Sequence, residues 1–225
     1  MANGFSARQI KIIACISMLF SHTGFIFWPS QLWWQIPGRL AMPIFAYMIA
    51  NGARYSRNVL AYVARLLIFA ALIQYPYSIF LASRHLNICF TLGLGLTAIM
   101  VWQGTLSRGW RILTLAALAV AAELLNTEYG LYGILMIFTA HLFFTDRRKL
   151  AISWIILNVP YLWQGMQGLR SGAAYPQIQG LCLLALPVLL LYNGRRGGGR
   201  RWEFYIFYIG HLAILYCLRL LLWGY

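Results

Sequence analysis

The run Gln9 to Trp28, "QIKIIACISMLFSHTGFIFW", is apolar over the length of a bilayer, yet it carries a lysine near one end and a histidine deep inside. About 20 apolar residues span a hydrocarbon core as a helix. Backbone polar groups find no water there, so the segment must satisfy them internally. Lys11 and His22 are eleven residues apart. At 3.6 residues per turn they share a face to within roughly 20° and lie ~16 Å apart along the axis. An ionisable side chain at membrane depth is costly and marks a functional site by default.

The pattern recurs. Nine apolar runs follow one another: Gln9 to Trp28, Arg39 to Asn51, Val59 to Leu81, Leu86 to Trp102, Trp110 to Leu125, Tyr129 to Phe144, Leu150 to Trp163, Ile178 to Tyr192 and Phe204 to Trp223. They predict an all-α, polytopic membrane bundle of about nine transmembrane helices forming one domain over residues 1–225. Several runs are shorter than a perpendicular span needs. The second, with Pro43 inside it, is read as half-buried or broken, which at membrane depth requires protein or water beside it. The first run reads as a span and not as a cleaved signal, since no small-residue cleavage site follows it.

Charge supports the same class. Of 225 residues, 61% are hydrophobic and only 10% charged, against about a quarter charged in soluble domains. The net charge of +14 does not point to nucleic acid, because the cations sit in short loops between apolar runs. With the N-terminus in the cytoplasm, fourteen cations fall inside (Arg8, Lys11, Arg54, Arg57, Arg65, Arg108, Arg111, Arg147, Arg148, Lys149, Arg195, Arg196, Arg200 and Arg201) and four outside (Arg39, Arg84, Arg170 and Arg219). This bias predicts N-in and C-out. The basic loop "GRRGGGRRW" reads as a topology signal that meets anionic lipid, or as a grip on a phosphate-rich ligand. Most tryptophans, Trp154 among them, fall near proposed span ends, as an interfacial belt requires. Cys15, Cys89, Cys182 and Cys217 all lie in apolar runs and read as buried thiols used as small hydrophobes.

Few side chains are left for chemistry. The acids are Glu123, Glu128, Asp146 and Glu203. Asp146 and Glu203 stand beside arginines at inner loop ends and read as their solvated partners. Glu123 and Glu128 flank an outer turn on the side of the membrane where His22 and Arg39 are expected, so these four make a candidate acid–base pocket. A surface ion-pair cluster is the alternative. His211, in "YIFYIGHLAILY", is expected to line the same cavity. His85 reads as a loop residue, and His141 as bonded locally. No metal-ligand spacing, phosphate-binding glycine motif or nucleophile elbow occurs.

The blocks "KIIACISMLFSHTGFIFWP", "GRLAMPIFAYMIANGARYSRN", "YVARLLIFAALIQYPY", "LNICFTLGLG", "EYGLYGILMI" and "FYIGHLAIL" resemble, in order, those of the TraX family over most of the chain. That family is named for the F-pilin N-acetylase and includes conjugation proteins of the TrbP type. It is in turn similar to the membrane acyltransferase-3 group, whose first span carries a basic residue, ten residues and a His. Here these are Lys11 and His22. Two positions depart from the family pattern: Ser21 stands where Asp usually precedes the His, and Asn51 where Glu often precedes Gly52.

The resemblance implies a bacterial inner-membrane acetyltransferase that moves an acetyl group from cytoplasmic acetyl-CoA to the N-terminal amine of a conjugative pilin subunit. Membrane lipids and other conjugation machinery are the further partners. Lys11 with Arg54, Arg57 and Arg65 would hold the CoA phosphates through charge-assisted hydrogen bonds. The pantetheine arm would carry the thioester to His22 as general base. Arg39 would stabilise the oxyanion, and Glu128 would support the imidazole. Ser21, Asn87, Thr91, Glu123 and His211 would position substrate. Three other classes fit the same residues: an O-acyltransferase for a glycan or lipid, a transporter, and a non-catalytic pilus-assembly protein. The absence of an internal repeat weighs against the inverted-repeat form of a transporter.

Overall fold

The structure, a computed structural model, describes residues 4–173, 176–200 and 202–224. Arg201, counted above among the inside cations, lies outside the described residues. Among those described there is no strand, only two isolated bridges. The helices are α1 (Ala7–Phe27), α2 (Gln35–Gly38), α3 (Ala41–Tyr55), α4 (Val59–Phe80), α5 (Ile88–Gln103), α6 (Arg108–Leu124), α7 (Gly130–Leu142), α8 (Arg147–Arg170), α9 (Ala185–Leu190) and α10 (Glu203–Trp223). Three of them, α1, α4 and α10, are long and apolar enough to cross a membrane. Their outward faces carry large apolar side chains such as Leu72, Tyr75 and Leu221, the last 81% exposed. A surface of this kind suits lipid and not water.

The apolar runs map onto helices one by one, with three corrections. The second run is neither half-buried nor broken. Pro43 falls in the first turn of α3, where its missing N–H costs no helical bond, and the helix continues to Tyr55 with most of its residues buried. The eighth run is the broken one: a 3-10 segment, Gln179–Leu184, hands over to α9. Pro187 lies in the first turn of α9, where its missing N–H costs no helical bond, and the chain before it winds as 3-10. Trp154 is the third. It is fully buried because α8 begins at Arg147, which carries Trp154 two turns into the helix and away from its end. Of the cysteines, Cys15, Cys89 and Cys182 are buried as expected, while Cys217 is exposed on α10.

The chain divides into two compact units, one of Met1–Phe45 with Arg147–Tyr225, the other of Ala46–Asp146. The inner unit, Ala46–Asp146, is organised around α5, which packs against α4, α6 and α7. Small residues let these helices approach: a Cβ at Gly95 would come within 2.4 Å of the Ile137 side chain. Membrane bundles rely on such close packing because lipid provides no hydrophobic drive between helices.

The terminal unit is organised around α1, which packs on α2 and α10. Ser6 caps α1 in a reciprocal capping box with Gln9. α1 and α10 run parallel: Arg8 pairs with Glu203 at 3.3 Å at their starts, and Phe27 meets Trp223 at 5.2 Å between ring centroids at their ends. α8 packs on the 3-10 segment.

Candidate functional site

α1 is one unbroken helix, so Lys11 and His22 keep the register that the sequence predicts. Each is met by α10. The Lys11 ammonium lies 5.2 Å from the centroid of the Phe204 ring. His22 Nδ1 lies 2.8 Å from His211 Nε2. The two imidazole planes are within 8° of parallel, with centroids 5.1 Å apart. The nitrogens are too close for rings stacked face to face. The centroid separation is the N–N distance plus a ring radius on either side, so the rings lie edge to edge in one plane. His211 Nδ1 lies 2.7 Å from the Phe207 carbonyl oxygen. His211 is buried, and His22 is half-buried.

The neighbouring wall is built by the segment after α1. Gly24 and Gly38 allow it to dock. A Cβ at Gly24 would stand 2.1 Å from Trp34 Cβ, and one at Gly38 would stand 2.3 Å from Ser21 Cβ. Ser21 Oγ donates to Gln35 Oε1 at 2.9 Å. One turn after Gln35, Arg39 donates from Nη1 to Gln179 Oε1 at 3.0 Å. Arg39 Nε is buried and has no hydrogen-bond partner among the described residues. His22 with His211, Ser21 with Gln35, and Arg39 with Gln179 are thus three polar pairs within the terminal unit. Gln35 and Gln179 were missed in the sequence. Their only signal was a polar amide inside the apolar strings "WWQIPGR" and "PQIQGL".

At the other end of α1 the basic loop closes over the first turn. Ala7 N donates to Arg195 O at 2.8 Å, and Arg8 N to Arg196 O at 3.1 Å. Arg196 interacts electrostatically with Lys11. Arg196 of the loop therefore stands near Lys11.

The remaining expected residues belong to the inner unit. Asn87 is fully buried and committed to structure. Its Oδ1 accepts from Cys89 N at 3.0 Å as the cap of α5, and its Nδ2 donates to Ala70 O at 2.9 Å and Gln74 Oε1 at 2.8 Å. Thr91 is buried and accepts from Tyr129 N at 3.4 Å. Glu123 Oε1 accepts from Leu131 N at 2.6 Å, a favourable place for a carboxylate at the start of α7. Glu128 Oε2 accepts from the Tyr77 hydroxyl at 3.2 Å. Arg54 lies over the Phe144 ring and Arg65 over Tyr62, at 5.3 and 5.2 Å from the ring centroids. Arg54, Arg57 and Arg65 are exposed.

A family model described as "TraX protein" matches residues 6–219, across both units. The chain belongs to the TraX family. Over 237 residues it is 28% identical to the "Probable fimbrial assembly protein FimC, serogroup H1" of Dichelobacter nodosus, covering 94% of each chain. It is 30% identical over 225 residues to "Protein TraX" of Escherichia coli, covering 94% of this chain and 86% of that one. No solved structure matches.

Proposed function

We propose that this chain is a multi-pass inner-membrane acetyltransferase that moves an acetyl group from cytoplasmic acetyl-CoA to the N-terminal amine of a pilin subunit. The observation that carries the reading is α1 itself: Lys11 near one end, with Arg196 interacting with it, and, three turns along the same face, His22 paired with His211. A donor made in the cytoplasm and an acceptor presented outside require a path of this kind.

The terminal unit supports assigned roles. Lys11, with Arg196 near it, would hold the phosphates of the donor. Arg54, Arg57 and Arg65 belong to the other unit, where they are exposed. His22 takes a proton from the amine as its nitrogen attacks the thioester carbonyl. Arg39, through its unused Nε–H, donates to the oxygen that becomes negative. The C–S bond then breaks, the new C–N bond remains, and the proton on His22 passes to the departing thiolate. Amide product and free CoA thiol result, with no other reactant.

The orientation N-in, C-out with nine spans is part of this proposal. Parallel α1 and α10 are consistent with an odd number of crossings. The name of one relative, a probable fimbrial assembly protein, supports pilus machinery as partner and, with it, a pilin as acceptor. The decisive experiment is intact-mass analysis of a pilin co-expressed with and without this protein. One acetyl group gained on the N-terminal fragment supports the proposal. Acetyl found on a glycan or lipid instead points to O-acyl transfer at the same site. No acetylated acceptor, with pilus assembly intact in a His22→Ala strain, points to a non-catalytic assembly role.

A further inference from the structure

We infer that His211 is the positioning residue of this site, setting His22 as a base at Nε2 and receiving the charge that forms on it. The inference rests on the proposed acetyl transfer for the amine it serves, and on geometry alone for the pairing.

The partners determine the protons. The Phe207 carbonyl only accepts, so His211 Nδ1, 2.7 Å away, carries a hydrogen. A neutral imidazole has one N–H and one lone pair. His211 Nε2 is therefore an acceptor. His22 Nδ1, 2.8 Å from it and in the same plane, must donate. The lone pair of His22 is then left at Nε2, the atom pointing away from α10. A histidine's reactive nitrogen is set in this way by the bond its other nitrogen makes.

This arrangement does what an orienting carboxylate would do. When His22 Nε2 takes the amine proton, the ring becomes an imidazolium, and its Nδ1–H bond to His211 becomes charge-assisted and stronger. His211 can accept that proton in turn, because its own Nδ1–H is held on Phe207. The positive charge is spread over two rings. Ser21 is engaged with Gln35, and the support of His22 comes from α10.

The test reads the protons directly. His85 and His141 are replaced by Gln, which leaves two of the four histidines, and the protein is labelled with 15N-histidine in detergent micelles. The expected spectrum has both rings protonated at Nδ1 and bare at Nε2, with coupling across the hydrogen bond from His22 Nδ1 to His211 Nε2. A His22 protonated at Nε2 overturns the inference, whether or not the protein transfers acetyl groups. Two variants extend the test. His211→Phe keeps a ring against Phe207 but removes the acceptor, and should randomise the His22 tautomer and lower kcat about 100-fold with KM for acetyl-CoA unchanged. His211→Gln restores an acceptor oxygen near the Nε2 position, and should recover the Nδ1–H form of His22 and most of kcat. Equal spectra and equal kcat in both variants would also overturn it. A wild-type protein with the expected spectrum and no transfer to any pilin would leave the pairing standing and refute the proposed function.

Discussion

Arg39 shows how a single side chain gains a role from its surroundings. One of its donors is occupied by Gln179, while Nε is buried and unpaired among the described residues. A buried unpaired donor is costly, and a developing oxyanion would satisfy it. Arg39→Leu should therefore lower kcat by about 100-fold with little change in acetyl-CoA affinity, measured by single-turnover transfer and by calorimetry. Lys11→Ala should do the reverse. It should weaken binding of acetyl-CoA about tenfold through loss of one charge-assisted bond, and leave binding of acetyl-pantetheine, which lacks the nucleotide phosphates, unchanged. Equal effects on both ligands would make Lys11 a topology signal alone. The sequence made Lys11, His22 and Arg39 legible because a charge in an apolar string stands out. It could not reveal that His211 and not Glu128 meets the His22 Nδ1, since that depends on how α1 and α10 lie in register.

Among the elements, α2 is the piece that the apolar pattern hid. Four residues between two tryptophans and a span start carry no periodicity to read. Its docking rests on two glycines whose neighbours leave no room for a Cβ. Gly38→Ala would press into Ser21 and should cost about 1–3 kcal/mol as overpacking does, with activity falling as Arg39 shifts. Thermal unfolding in micelles and kcat on the same variant check this. Asn87→Ala should behave differently. It removes the α5 cap and the Nδ2 bonds to the Ala70 carbonyl and Gln74 Oε1, at about 2 kcal/mol, and should leave kcat per folded molecule unaltered if Asn87 is purely structural. A selective loss of kcat would return it to the site. The starts of the first, third and fourth runs were legible to within two residues because the apolar strings begin just after the caps Ser6, Asn58 and Asn87, while the seventh ended at Trp163, seven residues short of the end of α8, because its last turns are polar. The break in the eighth run was not, because Pro43 and Pro187 look alike in sequence: each stands in the first turn of its helix, and only in the eighth run does a 3-10 segment precede it.

For the molecule as a whole, the apolar pattern fixes an all-helical chain with membrane-capable helices, and the cation bias proposes its direction. A periplasm-dependent reporter joined at the C-terminus should be active, and a cytoplasmic one silent; the opposite result would put His22 near the wrong face for an exported amine. The central claim is the transfer itself. Its most direct measurement is the intact mass of a processed pilin made in cells that contain wild-type protein, His22→Ala, or neither. One acetyl group is expected on the N-terminal residue with wild type, and none with His22→Ala or without the protein, while purified His22→Ala still binds acetyl-CoA. A pilin left unmodified by wild type, or acetylated at the wild-type rate by His22→Ala, would contradict that claim.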